Sequence, residues 1–208
     1  MEGKSRQMLW VGTSAISVLV IAGVVLVLMG CKPPGGGTTA PGGATTAPGH
    51  AGQGESRITA WTPYASAAGK FKVMFCGAVK EGSHSSGGPG NTQTDYTTSA
   101  DGPDGTNMGV TWTDLSTQAF DTSKPEEVVD SHLHAVMDFK KVISENKGMR
   151  HGVYAHTIEY QSSWDSLQHL EMTAMKGTYL YTVFGAGPKS DKVRKDLQTF
   201  LDSFDVTE

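Results

Sequence analysis

The sequence predicts an α+β fold. A largely antiparallel sheet of about six strands carries two main helices packed on it, preceded by an N-terminal apolar signal or anchor helix and a disordered linker. Three observations lead there. Six short segments between residues 71 and 184 read as strands, by alternation or by β-branched and aromatic content. Two further segments carry apolar stripes at helical spacing. The connections between strands are short, which favours antiparallel neighbours over crossover units.

The N-terminus is taken first. Lys4 and Arg6 precede a run from Met8 to Met29 with no charged residue. Its 22 residues span about 33 Å as a helix, the thickness of a hydrocarbon core. Basic residues before such a run keep the N-terminus in the cytoplasm and send the rest of the chain across. The run ends in Leu28-Met29-Gly30-Cys31, which resembles a bacterial lipobox. That resemblance implies a lipid on the Cys31 thiol and cleavage just before it. An uncleaved transmembrane anchor is the alternative. Either way residues 1–31 are a lipoprotein signal peptide or membrane anchor, and the chain is extracytoplasmic, held on a bacterial membrane in the cell envelope.

Residues 32–56 repeat TTAPG at 38–42 and 45–49 and are built from Gly, Pro, Thr and Ala. Nothing there seeds a core, so a disordered tether is expected. A Gly-rich coil of this length spans roughly 25–30 Å, enough to lift a domain off a membrane. Residues 57–208 form the extracytoplasmic α+β domain, long enough for one core.

Within that domain FKVMF (71–75) alternates as a strand, and GSHSSGGPGN (82–91) reads as a loop. TQTDYTTS (92–99) and NMGVTWTDL (107–115) read as strands joined by a turn at DGPDG (101–105). A helix is expected next. Ser123 and Glu126 have capping-box spacing, and Pro125 sits in the first turn. Val129, Leu133, Val136 and Ile143 share a face, and Gly148 is the expected stop. GVYAHTIEY (152–160), LQHLEMTAM (167–175) and TYLYTVF (178–184) follow as strands, the last two joined tightly through Lys176-Gly177. The final helix covers about 190–204, with Val193, Leu197, Phe200, Leu201 and Phe204 as its stripe.

Against this outline a resemblance stands out. GKFKVMFCGAVKE (69–81), YLYTVFGAG (179–187) and FLDSF (200–204) resemble segments of bacterial lipoproteins with a PsbP/Mog1-like fold. Cys76 and Val79 stand where that group carries prolines. The resemblance covers residues 61–208. It implies a fold used for docking and accessory roles, with no shared active site to carry over.

Composition excludes several function classes. The chain has a formal net charge of −4. Beyond residue 54 there are 14 Lys+Arg against 20 Asp+Glu, so phosphate backbones repel the domain and no nucleic-acid partner is expected. Two cysteines make neither a disulfide framework nor a zinc-cysteine site. His132 and His134 point about 200° apart on a helix and share no metal. His151, His156 and His169 meet only in one particular strand register. DGPDG lacks the alternating ligands and distal Glu of a calcium loop. GGPGNT (87–92) lacks the Lys-Ser/Thr ending of a phosphate loop, and GxSxG does not occur. Glu126 and Glu127 complement the helix dipole. Cys76 lies on a strand without the basic surroundings that activate a thiol, and reads as structural.

The expected sites are therefore Cys31 for lipidation and Trp164 for binding. No catalytic residue, metal or cofactor is expected. Trp164 lies in the polar stretch QSSWDS (161–166), a hairpin tip. It reads first as a lid folded back on the core and second as a binding anchor. The function expected is a non-catalytic docking or accessory module, joined to the membrane by lipid or apolar helix and to an unidentified envelope protein or component. A small-ligand carrier and an envelope enzyme with an unrecognised site are the alternatives. Metabolic labelling in the native host with a fatty acid should mark the chain, and Cys31→Ala should abolish the label. A mutant that keeps the label refutes the lipobox reading.

Overall fold

The computed structural model describes residue 58 and residues 60–88, 91–118, 121–137, 140–162 and 164–208. Cys31, the apolar run and the tether lie outside them. Among the described residues ten strands and two α-helices follow in order: β1 (Thr62–Ser66), β2 (Phe71–Phe75), β3 (Val79–Gly88), β4 (Asn91–Asp101), β5 (Asn107–Asp114), α1 (Pro125–Met137), β6 (Lys140–Arg150), β7 (Val153–Ser162), β8 (Leu167–Lys176), β9 (Tyr179–Pro188), α2 (Asp191–Ser203) and β10 (Asp205–Val206). Seven strands form one sheet in the order β3-β4-β5-β9-β8-β7-β6, antiparallel throughout. The other three form a small antiparallel sheet, β1-β2-β10.

The largely antiparallel sheet and its two helices match the expectation, but about six strands become seven in the main sheet and three in a second. Residues 82–88, expected in a loop, are strand. Residues 79–88 pair one for one with 91–100, helped by a 2.9 Å hydroxyl contact between Ser85 and Thr94. Ser and Gly have weak strand preference by themselves, so only the partner strand settles their conformation. The first helix also ends earlier than expected. It stops at Met137, and residues 140–150 form β6, paired along their length with β7. Ile143 therefore lies on a strand, at a bulge between Val142 and Ser144, and Gly148 sits inside β6 rather than closing a helix. Nor does the capping box form. The Ser123 hydroxyl donates to Asp121, and Pro125 is the first helical residue.

The two faces of the main sheet differ. Met108, Val110, Met172, Ala174, Tyr181 and Val183 line one face and pack against α2 and the small sheet. In antiparallel pairs, residues directly opposite share a face, so the register accounts for this common side. The stripe expected on the final helix is buried here: Val193, Leu197, Phe200, Leu201 and Phe204. Ser190 caps α2 by accepting from the Val193 N–H at 3.2 Å. Gly185 lets the helix approach, since a Cβ there would lie 2.7 Å from Leu197 Cδ2. Rings close the seam. Phe71 stands 6.2 Å from Tyr181 and 5.7 Å from Phe204, and Phe75 lies 5.4 Å from Phe200.

On the other face α1 crosses β6, β7 and β8. Val129 and Leu133 are buried, Val129 in a smaller apolar cluster with Leu115, Met175 and Leu180. The larger cluster is the main source of stability. Phe200→Ala should cost about 3–5 kcal/mol, read as a fall in the urea midpoint. A loss below about 1 kcal/mol would mean that the ring is not held between the sheets.

Candidate functional site

The turn between β7 and β8 holds the sequence's first candidate. Ser162 Oγ accepts from the Trp164 backbone N–H at 3.0 Å, and Asp165 Oδ1 accepts from the Leu167 N–H at 2.9 Å. Asp165 also lies 3.0 Å from His169 Nε2, and the His169 ring stacks on Tyr160 with centroids 4.7 Å apart. These bonds fix the turn from both strands. Trp164 is 61% exposed. It is not the lid on the core that the sequence favoured. The two strand ends bring Tyr160, Gln161, Gln168 and His169 to the turn.

Beneath α1 lies a second, polar constellation. The registers set Lys147, His156, Thr173, Thr182, Thr111 and Thr97 in one row across β6, β7, β8, β9, β5 and β4. Four threonines thus stand side by side, with the Thr97 and Thr111 hydroxyls 3.1 Å apart. At the end of this row His156 is fully buried. Its Nδ1 lies 2.8 Å from Asp130 of α1, and its Nε2 lies 2.8 Å from Glu145 of β6. Tyr154 donates to Asp130 at 3.3 Å, and Lys147 donates to Asp130 at 3.1 Å. Desolvation works to raise the Asp130 pKa. The bonds from Lys147 and His156 outweigh it and hold the carboxyl below the usual carboxylate range. The bond to Asp130 in turn pushes the Lys147 ammonium up.

A neighbouring cluster is also buried. Lys140 and Glu171, each with 9% of its side chain exposed, pair at 2.7 Å. Tyr160 donates to Glu171 at 3.1 Å, and the Lys140 ammonium lies 4.3 Å from the Tyr160 ring centroid. Burial first, and the Glu171 charge second, push the Tyr160 phenol well above its ordinary pKa. Burial lowers the pKa of His132 on α1, against the opposing pull of Glu171 and Asp95. His134 is exposed, as expected of a solvated helix face.

Most of these groups pair with one another, while the Thr173 hydroxyl and His156 Nε2, the latter close to Glu145, are buried without a well-aligned hydrogen bond. His156 and His169 lie four strand positions apart, about 13 Å, and His151 sits at the turn before β7. Among the described residues no three His, Cys, Asp or Glu groups are placed to hold a metal ion. The Cys76 thiol is half-buried, 3.8 Å from Met108 Sδ, and burial raises its pKa, the behaviour of an inert structural cysteine. A cavity of about 310 Å³ lies at the far end of the sheet, lined in part by Lys70, Lys176, Tyr179, Tyr181 and Val206. The Tyr181 hydroxyl is buried without a hydrogen-bond partner there.

Sequence reasoning missed both polar clusters. Their signal was present in GVYAHTIEY, where His156 and Glu159 interrupt an otherwise apolar strand. Both are buried. Glu159 faces α2, where Arg194 binds it at 2.8 Å.

No known family description matches the chain, and no curated protein matches it. Among solved structures, the chain is similar to the solution structure of cyanobacterial PsbP (CyanoP) from Synechocystis sp. PCC 6803. The likeness covers 77% of this chain and 98% of that one, at 16% identity and a TM-score of 0.49. PsbP is also the name attached to the fold that the sequence segments resemble.

Asp130 provides a direct test of the α1 network. A depressed carboxyl pKa adds stability that is complete above the unfolded value near about 3.9 and is lost as pH falls through the folded value. Asp130→Asn should therefore lower the free energy of unfolding by a constant amount from pH 5 to 8. The gap to wild type should close below about pH 4. Urea unfolding across pH checks this, and a gap that persists in acid would show that the carboxylate charge plays no part.

Proposed function

We propose that the domain is a non-catalytic docking module of the cell envelope, tethered outside the membrane and presenting Trp164 to another protein or envelope component. One observation carries this reading: a large amphipathic side chain, 61% exposed, on a turn hydrogen-bonded from both strands. Such an anchor buries much area on binding and loses only two torsions. The frame behind it is rigid, so little order has to be gained on contact. The mutual pairing of the polar groups under α1 and the buried state of Cys76 support a role without covalent chemistry. Cys31 or the apolar run before it supplies the membrane attachment in this reading.

A small-ligand carrier is the second reading, favoured by the cavity beside Tyr181. A carrier pocket of the expected kind would lie between sheet and helix and be chiefly apolar. This one lies at the sheet end beside two lysines.

Co-purification of the full chain from native membranes tests the docking role. Trp164→Ala should leave the melting temperature within about 2 °C of wild type, because an exposed ring adds little to the core. It should also remove most of the partner that wild type retains. An unchanged partner yield refutes Trp164 as the anchor, and a drop of several degrees returns it to the core.

A further inference from the structure

β6 is an outer strand of the main sheet, and among the described residues it pairs with β7 alone. Its eleven residues contain no proline, and most of its side chains are exposed. Five large apolar side chains are exposed among the described residues, and two of them, Ile143 at 51% and Met149 at 71%, stand on this strand. They lie three residues either side of Asn146. Between them Glu145 and Lys147 flank Asn146 with opposite charge; both have partners within the chain, Glu145 at His156 and Lys147 at Asp130 and Glu145, yet each keeps more than a third of its side chain exposed.

We propose that β6 is the contact surface for a second copy of this chain, with the two strands antiparallel about a two-fold axis at Asn146. The outer N–H and C=O groups of β6 then bond to those of the second copy and join two seven-stranded sheets into one. In this register Glu145 stands opposite Lys147 of the second copy, and Ile143 stands opposite Met149 of the second copy. Each pair occurs twice because the interface is isologous. Directly opposite side chains come within about 4.5–5.5 Å at Cβ, close enough for both pairs to form.

The neighbouring registers fail. An axis at Glu145 sets that carboxylate against itself and Ile143 against Lys147. An axis at Lys147 sets two ammonium groups together and Met149 against Glu145. A one-residue slip turns the second copy over, so that the α1 face of one copy continues into the α2 face of the other and the two-fold axis is lost. Only the Asn146 axis matches both the charged and the apolar pairs. The opposite edge, β3, has no such pattern. It reads VKEGSHSSGG, with Val79 its one large apolar side chain.

The bulge at Ile143 and the lysines of β6 are devices that keep a strand edge from pairing indiscriminately. They are compatible with this partner, because the charge pattern is complementary to itself in one register only. A strand-edge contact of this length is small and reversible. Tethering on a shared membrane raises the effective concentration of one copy for the other.

Symmetric cross-linking of the full chain in liposomes tests the axis. Asn146→Cys faces its own copy, so diamide oxidation should give a disulfide-linked dimer on non-reducing gels, well above the level that Cys31 and Cys76 give in wild type. His84→Cys on β3 should stay at the wild-type level. Ile143→Lys or Met149→Glu, added singly to Asn146→Cys, should cut the cross-linked fraction by about five-fold, and together they should restore it through a Lys–Glu pair. Both positions are exposed, and thermal melts confirm folding. Cross-linking of Asn146→Cys no stronger than wild type, or unaffected by the single substitutions, overturns the proposal.

Discussion

The contact of Phe71 with Tyr181 and Phe204 holds the rest of this structure in place. These three rings come from β2, from near the start of β9 and from the residue that caps the end of α2, and each is almost fully buried. Phe71 belongs to the small sheet, Tyr181 to the large one, and Phe204 to the corner between α2 and β10. Layer packing requires such a meeting, because an apolar sheet face is stable only when another element covers it. Phe75 on Phe200 repeats the contact further along. With this seam closed, the main sheet is rigid, and the opposite face is free to be polar.

That opposite face is built on a different principle. α1 has a short apolar stripe, and much of its attachment is ionic: Asp130 to His156, Lys147 and Tyr154, with Lys140 and Glu171 paired beside it. Removing charges from water is costly unless they are paired and hydrogen-bonded, and here each has a partner. Such pairs contribute little net stability, but a shifted helix is disfavoured because it takes Asp130 away from the fully buried His156 ring. The helix is thereby held in one position over β6, β7 and β8. The turn that bears Trp164, carried by the last two of these strands, inherits that order.

The sequence made much of this legible, and the failures have a common cause. FKVMF and the stripe of α2 are read correctly because their local period matches their burial, and TQTDYTTS and TYLYTVF because of their β-branched and aromatic content. β3 and β6 are misread because local composition opposes the final state. GSHSSGG has the composition of a loop, and KKVISENK includes good helix formers. Both are strands because a neighbour pairs with them along their full length. The buried polar clusters were hidden for a related reason. Asp130, Glu145 and His156 meet only after α1, β6 and β7 have assembled, and each alone resembles an ordinary surface residue. Trp164 was placed correctly on a hairpin tip. Its direction depends on what the adjoining strands expose, which a single turn does not encode.

The position of β2 carries a consequence for the order of folding. β2 lies between β1, which precedes it, and β10, formed by the last residues of the domain. Likewise β5 pairs with β9 across a gap that contains α1 and three strands. The early strands therefore have no complete sheet to join while the chain is still being made. A nascent chain can form the β3–β4 hairpin and the α1 turns, but Phe71 remains wet until residues 200–206 arrive. Such late, long-range closure makes folding slow and nearly all-or-none. It also leaves the chain extended and pliable during synthesis, the state in which a polypeptide can be threaded through a narrow passage before it acquires its shape.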